Sequence, residues 1–156
     1  MLDAKNFLNV VANTPLVSVD LVLLSGDEIL LGLRNNRPAK GFWFVPGGRI
    51  LKNETINQAI LRIAEKELGL SSLIKDGQLI VTFLGTYEHF YSDCFAGDNG
   101  VSTHYVVVAH KLELNKNIIV TIADEQHSEL KWWKLDQALK SKVVHQYTKN
   151  YLSQGQ

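Results

Sequence analysis

The sequence predicts a three-layer α/β/α or an α+β domain: strands gathered into a sheet and covered by two or three helices. Three observations predict it. Short apolar, β-branched runs recur at Leu16–Leu24, Ile29–Leu33, Leu79–Tyr87 and Thr103–Leu112, the pattern of strands. One segment, ending at Leu68, carries its apolar residues at helical spacing. Polar and glycine-containing stretches separate these runs, as turns and loops do.

Taken in order, Asp3–Ala12 reads as a short amphipathic helix with Phe7, Leu8 and Val11 inward, ended by Pro15. Leu16–Leu24 is nearly all apolar, which fits a strand covered on both faces; Asp20 interrupts it. Ser25–Glu28 turns, and Ile29–Leu33 returns as a second strand. Arg34–Gly41 is a polar loop, and Phe42–Val45 is a short aromatic strand leading into a tight turn at Pro46-Gly47-Gly48. Asn53 is the expected N-cap of the main helix, with Glu54 in its first turn and Gly69 at its left-handed C-terminal position. Leu79–Tyr87 is a strand, Glu88–Val101 a loop, and Thr103–Leu112 a strong strand. Ile118–Ile122 and Leu130–Trp133 are expected as short strands around the loop Ala123–Glu129. A helical turn at Leu135–Lys140 and a helix at Val143–Leu152 close the chain.

The 156 residues suit one domain spanning residues 1–156. Acidic and basic residues balance at 16 each, so nothing global points to nucleic acid or membrane, and any polyanion site must be local. Cys94 is the only cysteine, which rules out an internal disulfide and a thiolate metal cluster and fits a cytoplasmic protein. The N-terminus lacks a basic region followed by an apolar run, so no signal peptide is expected. No apolar stretch reaches the ~20 residues of a membrane span.

The main helix carries a charge where its pattern calls for an apolar side chain. At 100° per residue, Ala59, Ile60, Ile63, Ala64 and Leu68 form one continuous stripe, and Glu67 falls within it. An ionised carboxylate there is costly without compensation, and the last turn of a helix disfavours negative charge. Either Glu67 snorkels off the helix end or pairs with an arginine, or it meets a bound cation; the helix alone leaves these open.

The segment as a whole resembles the box of the Nudix hydrolases. Gly48, Glu54, Arg62, Ala64, Glu67, Gly69 and Leu70 match its pattern, while Ile63 and Lys66 stand where the family has glutamates. The resemblance implies the Nudix fold, an α/β/α sandwich with a mixed sheet, and hydrolysis of a nucleoside diphosphate joined to another group. The loss of two carboxylates implies charge for about one divalent ion, where family members that attack phosphorus gather more.

The likeness extends along the chain. TPLVSVD (14–20), LGLRNNRPAKGFWFVPGGR (31–49), EHFYSD (88–93), THYVV (103–107) and DEQH (124–127) together are similar to the GDP-mannose mannosyl hydrolase branch. That branch implies attack of water at sugar C1, releasing GDP and free sugar with inversion, from GDP-mannose and also GDP-glucose. It implies one Mg2+, with Mn2+ as a substitute, held by the Gly47 carbonyl, Glu67 and Gln126. Arg34, Arg49 and Arg62 then face the diphosphate, with Arg37 a further basic candidate for substrate binding. Asp20 stabilises the cationic sugar, His127 is the general base, and His89 and Tyr105 sit near the leaving phosphates. A homodimer is also implied. Phe42, Trp43, Phe44, Trp132 and Trp133 are expected in the core, and His104, His110 and His145 as structural. Two other readings compete: a conventional Nudix pyrophosphohydrolase cutting between phosphates, and a non-catalytic nucleotide-binding module.

Overall fold

The computed structural model describes residues 2–114 and 129–153. The strand expected at 118–122, and Gln126 and His127 with it, lie outside the described residues.

The chain opens with α1 (Ala4–Asn13), capped by the Asp3 side chain, which accepts from the Asn6 amide at 2.8 Å. Then come β1 (Leu16–Ser25), β2 (Glu28–Leu33), β3 (Trp43–Phe44) and β4 (Gly47–Arg49). After them come α2 (Ile56–Leu68), α3 (Ser71–Lys75), β5 (Leu79–Tyr91) and β6 (Thr103–Leu114). β7 (Leu130–Lys134), α4 (Leu135–Lys140) and α5 (Gln146–Ser153) complete the described elements. The main sheet runs β3-β2-β1-β6-β5, with β4 added to β1 and β7 to β2. β1 and β6 are parallel and the other pairs antiparallel, so the sheet is mixed.

The central place of β1 explains its composition. Val19, Leu21 and Leu23 face one side and pack with Ala59, Ile60, Ile63, Ala64 and Leu68 of α2. Val22 faces the other and packs with Trp43, Phe44, Ala138, Val144 and Tyr151. Both faces are covered, which is why the strand needs apolar residues on both. The result is the expected α/β/α sandwich, with α2 in one outer layer and α4 and α5 in the other. The stripe read from the sequence is the buried set of α2.

Several local expectations are corrected. Gly47 and Gly48 do not form a turn running into the helix; they lie in β4, in register with Asp20 and Val19 of β1. The N-cap of α2 is Thr55 and not Asn53: Thr55 and Gln58 close a reciprocal capping box, while Asn53 takes a left-handed φ of 68°. Glu54 therefore precedes the helix, where its carboxylate accepts from the Leu51 amide. β5 continues to Tyr91, so His89 is a strand residue opposite Tyr105. α3 is an additional turn of helix after Gly69. α5 starts at Gln146 because the residues before it pair with β3: Trp43 donates to the Val143 carbonyl, and His145 donates to the Trp43 carbonyl. Trp43 and Phe44 are core residues as expected, but Phe42 is 38% exposed.

Candidate functional site

Two adjoining cavities open at β1, β4 and the end of β2. The smaller, of about 90 Å3, is lined by Asp20, Arg34, Gly47, Arg49, His89 and Tyr105 among others. The larger, of about 440 Å3, is lined by Arg34, Asn35, Asn36, Gly47, Glu67 and Leu130 among others. Arg34, Phe44, Val45 and Gly47 border both. Six of the residues singled out from the sequence thus line one cavity, and Glu67 reaches the other from the opposite layer.

Asp20 sits at the centre. It is on the α5 face of β1, 8% exposed, and its Oδ2 accepts from the Tyr151 hydroxyl at 2.5 Å. Burial pushes its pKa up to about 7, against the Tyr151 hydrogen bond and the charge of Arg34, which both lower it. Gly47 lies directly across from Asp20, and a Cβ there would run into the Asp20 carboxylate and come within 2.7 Å of the Val19 carbonyl oxygen. Close approach, and not a left-handed turn, is the reason for glycine at this position. Gly48 packs on the other side, where a Cβ would stand 3.3 Å from the Ile63 side chain.

Arg34 is held at the strand end by its own loop. Its amide donates to the Phe42 carbonyl at 2.9 Å, and its Nε donates to the Pro38 carbonyl at 2.8 Å. His89 is 4% exposed and stacks on Tyr147, with centroids 4.1 Å apart and planes within 1°. Burial first, and then the charge of His145, push its pKa down to about 4, so it is neutral at neutral pH. Burial raises the phenol pKa of both Tyr105 and Tyr91, whose rings are 6.4 Å apart. The Arg49 guanidinium lies 4.1 Å from the Phe7 ring centroid, so α1 forms its platform.

The other two arginines are placed differently. Arg62 donates to both Glu54 oxygens, at 2.6 and 2.9 Å, and to the Arg49 carbonyl at 2.7 Å. It is not among the lining residues of either cavity. This forked pair lowers the Glu54 pKa and ties the segment after β4 to α2. Arg37 pairs with Asp93 at 3.3 Å beside Lys40 and Phe42, in a separate surface depression.

Glu67 and Gly47 border the same cavity, and a carboxylate and a peptide carbonyl are the hard oxygen donors that a divalent cation takes. No group of three His, Cys, Asp or Glu side chains among the described residues could hold a metal ion. An ion bound here would have one carboxylate from α2 and keep positions for water and phosphate oxygens, the usual habit of Mg2+. Ile63, where a family glutamate is missing, is buried in the core under Gly48, and Lys66 is exposed.

Tyr91, Tyr147 and Tyr151 were not singled out in the sequence. The signal was there for two of them: Tyr147 and Tyr151 are four apart in the closing helix, so they share a face.

A family model described as the NUDIX domain matches residues 14–153. The chain belongs to the NUDIX family. It is 42% identical over 145 residues to the low-salt glycan biosynthesis protein Agl8 of Haloferax volcanii, covering 92% of this chain and 83% of Agl8. It is 36% identical over 74 residues to an ADP-ribose pyrophosphatase of Methanocaldococcus jannaschii, covering 47% of this chain and 40% of that one. A MutT NUDIX hydrolase from Burkholderia pseudomallei superposes with a TM-score of 0.67 at 22% identity, covering 92% of this chain and all of that one. The Escherichia coli dihydroneopterin triphosphate pyrophosphohydrolase superposes with a TM-score of 0.66 at 18% identity, covering 89% and 93%. These structures share the fold. Nudix membership makes the chain one of a family of hydrolases that generally work with a divalent metal such as Mg2+. No helix among the described residues is long and apolar enough to cross a membrane.

Proposed function

We propose that this Nudix protein hydrolyses a GDP-sugar, GDP-mannose first, by attack of water at sugar C1, releasing GDP and the free sugar. The observation that carries this reading is the reduced acidity of α2 beside a buried acid on β1. Glu67 lines the larger cavity, while Ile63 is spent on the core and Lys66 faces solvent. That leaves little charge for a cluster of metals at a phosphorus centre. Asp20 instead lies in the smaller cavity among His89, Tyr91 and Tyr105, a setting suited to cationic character developing on a sugar.

The residues divide the work as follows. Glu67 and the Gly47 carbonyl, with Gln126, would hold one Mg2+, which supplies charge neutralisation for a departing diphosphate. Arg34 and Arg49 border the cavity and can bind phosphate oxygens by their forked donors. Arg62 keeps Arg49 in place through the Arg49 carbonyl. With a diphosphate as the leaving group, no acid is needed to protonate it. His89, being neutral, lines this cavity without adding charge near the sugar. His127 takes the proton of the attacking water. It lies outside the described residues. The name of the Haloferax relative, a glycan biosynthesis protein, suits a nucleotide-sugar substrate.

Hydrolysis of GDP-mannose in oxygen-18 water with Mg2+ tests the reading. Label is expected in the released sugar. Label in a phosphate would replace it with the conventional pyrophosphohydrolase, and no turnover would favour a binding module.

A further inference from the structure

The closing helix α5 is fastened to the site at three places. The Tyr147 hydroxyl accepts from the Phe90 amide at 3.0 Å and donates to the Phe90 carbonyl at 2.9 Å, which locks the helix to β5. Thr148 accepts from the Val45 amide at 3.4 Å, just before Pro46-Gly47. Tyr151, one turn beyond Tyr147 and 2% exposed, reaches the Asp20 carboxylate and the His89 ring.

The contacts of Tyr151 can be ordered by counting protons. A phenol has one hydrogen to donate. When Asp20 is ionised, Tyr151 gives this hydrogen to Asp20 Oδ2, so its 3.3 Å contact with His89 Nε2 requires that nitrogen to be the donor. His89 then carries its proton on Nε2, and Nδ1 is left as an acceptor. With Oδ2 taken by Tyr151, the other Asp20 oxygen, Oδ1, is the one nearest Gly47 across the β1–β4 pair. The ring of Tyr151 is edge-on to Tyr87 at 4.7 Å, so its hydroxyl has little freedom to look elsewhere.

We propose that Tyr151 is a positioning residue for the hydrolytic site, one that orients the Asp20 carboxylate with Oδ1 toward Gly47 and holds His89 in its Nε2–H tautomer. The chain of donors runs from His89 to Tyr151 to Asp20. It connects β5, α5 and β1, three elements that no stretch of sequence brings together. Tyr151 itself lines neither cavity, so it acts through its two partners. The role of Asp20 in turnover rests on the GDP-sugar reading; the hydrogen-bond order does not.

Two measurements separate them. The first needs no substrate and no variant. Nitrogen-15 NMR of the wild-type protein, at a pH above the Asp20 titration at about 7, should show His89 with a protonated Nε2 and an unprotonated Nδ1. The opposite tautomer would overturn the proposal whatever the enzyme hydrolyses. The second is a double-mutant cycle in GDP-mannose hydrolysis. Tyr151→Phe removes only the hydroxyl and is expected to lower kcat at least ~10-fold with KM within ~2-fold. In the Asp20→Asn background the same substitution should cost less than ~2-fold. Full multiplicative losses in the double variant, or an unchanged kcat in Tyr151→Phe, would show that Tyr151 does not act through Asp20. If wild-type protein turns over no GDP-sugar, the proposed function falls, and the tautomer measurement still decides the placement of Tyr151.

Discussion

At the scale of single residues, the site is governed by the burial of groups that prefer water. His89 shows the effect most simply. Its folded pKa of about 4 lies below the ordinary 6.5, because burial disfavours its charged form. As pH falls, the unfolded chain takes a proton near 6.5, while the folded protein resists until about 4. Stability from His89 is therefore full above 6.5 and is lost as pH drops toward 4, by about 3 kcal/mol at most. Asp20 runs the other way, since its folded pKa is raised, so the comparison with a variant isolates His89. His89→Gln should show a fixed loss from the missing stacking. Relative to wild type it should then gain stability steadily between pH 6.5 and 4 in urea unfolding. A difference that is flat with pH would mean that His89 is not buried as a neutral ring.

At the scale of elements, β4 sets the close approach on which the site is built. Three residues pair with β1, and they bring the Gly47 peptide against Asp20 and the Gly48 peptide against Ile63 of α2. Gly47→Ala should force β4 from β1, because the new methyl meets backbone as well as the Asp20 side chain. A loss of about 1–3 kcal/mol is expected from overpacking, with GDP-sugar turnover falling more than 10-fold. Thermal unfolding and steady-state rates check it; a variant as stable and active as wild type would mean that β4 does not make this approach. Tyrosine spacing, capping and stripe are element-scale features too, but of unequal legibility. The α2 stripe was readable because a helix repeats every 3.6 residues and its buried face needs apolar side chains. The N-cap lies two residues beyond Asn53, since Asn53 and Thr55 are both good caps and the reciprocal bonds of Gln58 favour Thr55. Gly47 and Gly48 lie in a strand and not in a turn, because glycine also marks places where two backbones meet.

At the scale of the whole molecule, the sandwich brings opposite layers to one opening. Glu67 comes from α2 on one face of the sheet, and Asp20 is held by α5 on the other. A ligand that binds only the folded state raises its stability, by ~2.7 kcal/mol at a hundred times its dissociation constant. Mg2+ should accordingly raise the wild-type Tm by several degrees, at ~2–4 °C per kcal/mol for a domain of this size. The shift should shrink markedly in Glu67→Gln and return to zero with a chelator. An equal shift in the variant would remove Glu67 from the metal site.

The sequence by itself determined the mix of strands and helices, the strand that is covered on both faces, the family whose fold gives the layers, and the carboxylate within the helix stripe. These follow from periodicity and from short motifs, which are properties of neighbours along the chain. Only the tertiary structure decided the rest. It placed Arg62 on Glu54 and away from both cavities, and Arg37 in a separate depression. It also brought Tyr151 to Asp20 across 131 positions. Hydrogen bonds at such separations depend on how elements pack, and no local pattern carries that information.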